Sequence, residues 1–215
     1  MQGLKPDNKS LLLYAITDRA WLNTKTLPEA VEEAILGGAS FIQLREKNLS
    51  YEEFLKIALD VKKVTDKYEI PFVINDNVDV AAEADADGAH IGQSDEEIKT
   101  AREKLGADKI IGLSASTVEE AVRAEQNGAD YIGVGAIFST STKLDADTVS
   151  FETLNKICRT VKIPVVAIGG ISKDNVLELT GTGIAGISVV SAIFAQDDIK
   201  NAASELLELT KQAVE

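Results

Sequence analysis

The chain has little cysteine, little histidine and a shortage of positive charge. Cys158 is the single cysteine among 215 residues, which excludes an intrachain disulfide framework and a cysteine-based zinc site. Thirty-five acidic residues outweigh 22 basic ones and leave a net charge of −13. That balance disfavours a nucleic-acid groove or an anionic membrane as a partner. An anionic ligand would need a local cluster of cations or a metal.

Long apolar runs and linkers are missing as well. No stretch is long enough to span a bilayer, and the opening MQGLKPDNKSLLLYAI lacks the basic start and long apolar run of a secretory signal. No Pro-, Gly- or Ser-rich linker divides the chain, and nothing in its composition indicates disorder. We therefore expect one cytoplasmic domain over residues 1–215.

Short β-rich runs alternate with longer helical patterns along the whole chain. The β-rich runs are nearly continuous in apolar residues, as expected for parallel strands covered on both faces. Capping-box spacing marks helix starts at Thr26, Ser50, Ser94 and Ser116. Eight strand–helix pairs in so short a chain favour a single-domain α/β fold, a closed (β/α)8 TIM barrel, over an open doubly wound sheet. The predicted strands are Leu11–Ile16, Phe41–Leu44, Phe72–Asn75, Gly88–Ile91, Ile110–Leu113, Tyr131–Val134, Val165–Ile168 and Gly186–Val190.

Charged residues follow three of these strands, where such barrels carry their chemistry. Arg45 and Lys47 come after the second strand, two residues apart, so both can face the mouth and bind phosphate oxygens. The alternative there is a surface loop with a Glu46–Lys47 charge pair. Asp76 and Asp95 follow the third and fourth strands, and two carboxylates on neighbouring strands favour Mg²⁺ with substrate phosphates. Each could instead serve a helix N-terminus.

Other strand ends carry hydroxyls and glycines. The stretch DYIGVGAIFSTSTKLD, from Asp130 to Asp145, joins a glycine-containing strand to a hydroxyl-rich loop with one lysine. Glycines inside a strand let other groups approach the backbone closely, and the loop reads equally well as an anion site or a solvated turn. Ser114 is expected at the mouth as a hydrogen-bond donor, with Ser116 used as a helix cap. Gly169-Gly170 and a short helical turn through Phe194 match the usual barrel phosphate site. His90, the only histidine, is read as structural.

Seven short motifs lie at the predicted strand ends, in order over nearly the whole barrel. The motifs are QLREK at Gln43–Lys47, IND at Ile74–Asp76, HIGQSD at His90–Asp95, GLS at Gly112–Ser114, GVGAIFSTSTK at Gly133–Lys143, AIGGI at Ala167–Ile171 and VVSAI at Val189–Ile193. Each motif is unspecific alone, but the seven in register strongly resemble the thiamine-phosphate synthase family.

The resemblance implies a transferase that joins hydroxymethylpyrimidine diphosphate to hydroxyethylthiazole phosphate, or its carboxylated form, and releases pyrophosphate. It implies Mg²⁺ as cofactor at Asp76 and Asp95, and small phosphorylated molecules as partners. A homo-oligomer is left open. The implied catalytic residues are Arg45, Lys47, Ser114 and Lys143. The implied substrate-binding residues are Gln43, Leu44, Arg45, Glu46, Lys47, Asn75, Ser114, Thr140, Ser141, Thr142, Lys143, Gly170, Val190 and Ser191.

Two other functions compete with this one. An aminothiazole tautomerase shares the barrel but uses a histidine near the end of the fifth strand, where this chain has Ser114 and Ser116. A non-catalytic phosphate-binding barrel would bind the ligand without releasing pyrophosphate. The set of cations and carboxylates at the strand ends favours the synthase.

Overall fold

Eight parallel strands close into a barrel in a computed structural model of the chain, which describes residues 5–22, 24–92, 98–139 and 148–215. Each strand pairs with its neighbours in chain order, and the last strand pairs with the first. The predicted (β/α)8 barrel is therefore confirmed. The strands are β1 Leu13–Ile16, β2 Phe41–Leu44, β3 Phe72–Asn75, β4 Gly88–Ile91, β5 Ile110–Ala115, β6 Tyr131–Val134, β7 Val165–Ile168 and β8 Gly186–Val189.

Helices follow most of the strands and cover the outside of the barrel. The connection from β7 to β8 has only a 3₁₀ helix, Val176–Leu179. None of the helices in the described ranges is both long enough and apolar enough to cross a membrane. The α-helices are α1 Leu27–Leu36, α2 Tyr51–Lys67, α3 Val78–Glu83, α4 Ile98–Leu105, α5 Val118–Gln126, α6 Phe151–Thr160, α7 Ser191–Phe194 and α8 Ile199–Val214.

Two of the four predicted capping boxes form as expected, at Thr26 and Ser50. The box predicted at Ser116 is wrong by one residue, because α5 is capped by Thr117 together with Glu120. The Ser116 hydroxyl instead donates to the carbonyl of Gly135, at 3.3 Å. The predicted box at Ser94 lies outside the described residues.

Apolar side chains fill two separate cores. The larger core lies between the sheet and the helices, and many alanines in it let the helices approach the strands closely. The smaller core fills the barrel interior and contains Tyr14, Phe41 and Tyr131. The aromatic rings contact one another in tilted and edge-on arrangements, with centroids 4.6 to 5.8 Å apart. The barrel is thus a packed body whose carboxyl-terminal rim is the place for a site.

Candidate functional site

Most of the predicted site residues follow strands, so closure of the barrel brings them to one rim. Because all eight strands run parallel, the residues after β2, β3, β7 and β8 emerge on the same side of the molecule. Arg45 and Asp76 follow the adjacent strands β2 and β3, whose register pairs Leu44 with Ile74. Five predicted site residues lie outside the described residues: Asp95, Thr140, Ser141, Thr142 and Lys143.

The segment after β2 holds Arg45 half-buried and Lys47 exposed. Its start is fixed by the buried Thr17, whose hydroxyl accepts a hydrogen bond from the Arg45 amide at 3.1 Å. Glu46 does not pair with Lys47; its side chain is 5% exposed, and its carboxylate accepts from Arg19 Nε at 2.7 Å. The Glu46 carboxylate is therefore paired with a side chain of the protein itself. Within the described ranges no ion pair involves Arg45 or Lys47.

Asp76 follows β3 directly in a left-handed backbone conformation, with φ of 63°. Aspartate tolerates this region better than most residues because its short polar side chain can bond locally. Its amide donates to the carbonyl of His90 at 2.9 Å, and the Asn75 side-chain amide donates to Asp76 Oδ2 at 2.5 Å. Asn77 caps α3, so the helix-capping alternative for Asp76 is not needed.

A pocket of about 360 Å³ lies beside this turn. Three predicted site residues line it, Glu46, Asn75 and Asp76, together with Asn48, Leu49, Phe54 and residues 77–79. Residues from two neighbouring strand ends thus line one cavity. This is a setting in which a phosphorylated ligand and a hard cation could be held together.

The segment after β6 lies along the end of β7. Its Ile137 and Phe138 amides donate to the carbonyls of Ile168 and Gly169 at 2.9 and 3.0 Å. Gly170 has φ of 64°, and a Cβ there would stand 2.4 Å from the carbonyl oxygen of Ser139. This contact requires glycine at position 170. It also places Ser139, the last described residue before Thr140, against the predicted phosphate-binding Gly170. Ser191 begins α7 at the neighbouring strand end, after Val190.

The predicted close contacts of Gly133 and Gly135 are confirmed, although Gly135 lies one residue past the end of β6. A Cβ at Gly133 would lie 3.3 Å from Cε1 of His90, and a Cβ at Gly135 would lie 2.1 Å from the carbonyl oxygen of Ile168. Gly133 therefore makes room inside the barrel for the histidine ring, and Gly135 allows the segment after β6 to approach β7.

Sequence reasoning missed a cluster of five hydrogen-bonded polar side chains inside the barrel, beneath the mouth. Gln43 Nε2 donates to the hydroxyl of Tyr14, which lies 2.8 Å from the hydroxyl of Tyr131. The Tyr131 hydroxyl is 2.9 Å from His90 Nδ1, and His90 Nε2 is 3.1 Å from Ser114 Oγ. Burial raises the pKa of both tyrosines, so both hydroxyls keep their protons. The sequence does contain a signal for this cluster. Successive side chains of a strand point to opposite faces, and all five residues occupy positions that face the barrel interior.

Known proteins resemble this chain closely. The family model described as thiamine monophosphate synthase matches residues 13–193. A thiamine-phosphate synthase of Ruminiclostridium cellulolyticum is 56% identical over 197 residues, covering 92% of this chain and 94% of the relative. One from Clostridium tetani is 52% identical over 201 residues, covering 93% of this chain and 96% of the relative.

A solved structure agrees with this result. Thiamine phosphate pyrophosphorylase from Pyrococcus furiosus superposes with a TM-score of 0.89 at 42% identity, covering 97% of this chain and 99% of that one. The resemblance inferred from the seven motifs is confirmed, and neither the tautomerase nor the non-catalytic barrel gains support. The chain belongs to the thiamine monophosphate synthase family.

Proposed function

We propose that the carboxyl-terminal rim joins hydroxymethylpyrimidine diphosphate to hydroxyethylthiazole phosphate, with or without a carboxyl group on the thiazole, and releases pyrophosphate. The observation that carries the proposal is the placement of Arg45, Asn75 and Asp76 at the ends of two adjacent strands, where Asn75 and Asp76 line one pocket. Family membership supports the reaction, and the strand ends support where it takes place.

The reaction can proceed as a dissociative substitution. The bond between the methylene carbon and the diphosphate oxygen breaks, and its electron pair leaves with pyrophosphate. The electron-rich aminopyrimidine stabilises the resulting cationic methylene, and the lone pair of the thiazole nitrogen then forms the new carbon–nitrogen bond. No proton is taken by the protein, so the scheme needs no general base.

In this scheme the positively charged side chains of the rim bind and stabilise the departing diphosphate. Arg45 presents a planar fork that can bind two diphosphate oxygens, and Lys47 and Lys143 add compact positive charge. Gln43, Leu44, Glu46, Asn75 and Ser114 line the pyrimidine side. The thiazole phosphate is assigned to Thr140, Ser141, Thr142, Gly170, Val190 and Ser191.

Mg²⁺ is assigned to Asp76 and Asp95. Within the described ranges no group of three or more His, Cys, Asp and Glu residues could hold a metal by itself. Mg²⁺ usually takes only one or two carboxylates and completes its shell with water and substrate phosphates, and the exposed Asp76 at the rim fits that pattern. When bound, the ion would neutralise charge on the departing diphosphate.

A coupled assay for inorganic pyrophosphate tests the function. Release should require both substrates and Mg²⁺, and its absence with both present would leave a binding protein rather than a synthase. Asp76→Ala should raise the Mg²⁺ concentration for half-maximal rate by about tenfold or more, as loss of a metal contact usually does. Asp79→Ala is the matched control, since Asp79 lines the same pocket but pairs with Lys104 at 3.2 Å. An identical Mg²⁺ titration in both variants would refute the metal assignment.

A further inference from the structure

Five side chains inside the barrel form one continuous chain of hydrogen bonds from β2 to β5. The order is Gln43, Tyr14, Tyr131, His90 and Ser114, with separations of 2.8, 2.9 and 3.1 Å over the last three links. The first three members are at most 1% exposed. Water therefore has little access to the middle of the chain, and its members must satisfy one another.

The donor at one end sets the direction of the first two links. The Gln43 amide nitrogen can only donate, so the Tyr14 oxygen accepts from it. Tyr14 then has its own proton to place, and among the described residues the acceptor within reach is the Tyr131 oxygen. Tyr131 accepts that bond, so its own proton goes on to His90 Nδ1.

The direction continues through the histidine. A ring nitrogen that accepts a hydrogen bond carries no proton, so the neutral ring holds its proton on Nε2. Nε2 then donates to Ser114 Oγ, at 3.1 Å. Since Ser114 accepts from His90, the serine proton is directed to a partner other than His90.

We propose that these five hydrogen-bonded side chains form a directional relay. The relay fixes the His90 tautomer and makes Ser114 a hydrogen-bond donor toward an acceptor atom of a ligand at the mouth. The ligand part rests on the proposed function, in which Gln43 and Ser114 both contact the pyrimidine substrate. Tyr14, Tyr131 and His90 are then positioning residues that act through Ser114. An acceptor such as a heterocycle nitrogen or a phosphate oxygen fits a serine of this polarity.

Two glycines on the strands make the relay possible. A Cβ at Gly112 would stand 2.1 Å from Cζ of Tyr131, and one at Gly133 would stand 3.3 Å from Cε1 of His90. The rings thus lie over bare backbone, which lets them cross the barrel and reach one another. The path is built into the strands and does not depend on the loops.

The single histidine makes the tautomer directly measurable. In protein labelled with ¹⁵N, long-range ¹H–¹⁵N correlation spectra should show one pair of ring nitrogens, with Nε2 protonated and Nδ1 unprotonated. No substrate is needed, so this result is independent of the proposed function. A proton on Nδ1, or on both nitrogens, would overturn the relay.

Variants test whether the direction is transmitted. Gln43→Glu replaces the donor by an acceptor, so each bond should reverse and the His90 proton should move to Nδ1. Tyr131→Phe removes the link and should shift the Nδ1 signal. Ser188→Ala is the matched control, because Ser188 Oγ is buried but has no hydrogen-bond partner among the described residues. Ring signals that stay unchanged in folded Tyr131→Phe would overturn the proposal, whether or not Gln43→Glu folds.

Kinetics test whether the relay acts through Ser114. Tyr131→Phe should lower kcat/KM about tenfold in the wild-type background and have little further effect in Ser114→Ala, as expected for coupled residues. Equal effects in both backgrounds would show a merely structural role. Wild-type protein that releases no pyrophosphate would count against the proposed function and leave the tautomer result standing.

Discussion

Polar residues occupy both ends of the barrel, but they do different work at each. At the amino-terminal end, Asp130 accepts hydrogen bonds from the Ile111 amide at 2.9 Å and from Arg102 Nη2 at 2.8 Å. Asp87 accepts from the Phe72 amide at 2.8 Å. At the carboxyl-terminal end, Arg45 and Lys47 form no ion pair within the described residues.

Arg102 shows how fully the amino-terminal end uses its charges. Besides Asp130, its guanidinium donates to the carbonyls of Gly106, Ala107, Lys109 and Gly128. These bonds tie the segments that enter β5 and β6, so the group serves the closure of the barrel. The contrast indicates that substitutions at one end should cost stability, whereas those at the other should cost catalysis.

The largest effect is expected at Asp130. Asp130→Ala should lower the free energy of unfolding by about 3 kcal/mol, because it leaves the Ile111 amide and part of Arg102 without their partner. Activity per folded molecule should stay near the wild-type value. Urea unfolding measures the change, and Asp108→Ala, at an exposed position nearby, should stay within about 0.5 kcal/mol of wild type. Equal losses in the two variants would remove the special role of Asp130.

At the opposite end, Arg45→Ala should reduce turnover by about 10²-fold, as loss of one group that stabilises a developing anion usually does. The free energy of unfolding should change by less than about 1 kcal/mol, since no ion pair within the described residues is lost. Arg123→Ala, on the exposed side of α5, is the control and should keep full turnover. An Arg45→Ala protein that unfolds easily but turns over normally would invert the comparison between the two ends.

The region between the two ends should respond to steric change. Gly112→Ala should destabilise the protein by about 2 kcal/mol, because its Cβ would overlap the Tyr131 ring, and overpacking costs of this size are typical. Gly133→Ala should cost less, about 1 kcal/mol, because the His90 ring needs to move by only a few tenths of an ångström. Thermal unfolding of the two variants tests this ranking of stability losses. A larger loss in Gly133→Ala than in Gly112→Ala would show that the barrel interior is looser than the contacts imply.

The sequence was most informative where periodicity and strand order decide the structure. The eight apolar runs predict the strands, and parallel closure places Arg45 and Asp76 at one rim without further information. The partner of Glu46 could not be predicted, because Arg19 lies 27 positions away and only the fold brings the two together. Likewise His90 could be read as hydrogen-bonded, but its partners Tyr131 and Ser114 depend on barrel register.

The smallest expected effect concerns a polar residue at the carboxyl-terminal end that serves structure. Thr117 caps α5: its hydroxyl accepts from the Glu120 amide at 3.2 Å, and Glu120 in turn accepts from the amides of Thr117 and Ser116. Local spacing suits Ser116 with Glu119 equally well, but in the structure the N-cap of α5 is Thr117, one residue further along. Thr117→Ala should therefore lower the free energy of unfolding by about 1 kcal/mol, and Ser116→Ala by about half of that or less, since its 3.3 Å bond to Gly135 is exposed. Neither should change turnover. A larger loss in Ser116→Ala would mean that α5 starts one residue earlier, and a fall in turnover in either variant would extend the catalytic role of this end of the barrel to the start of the helix.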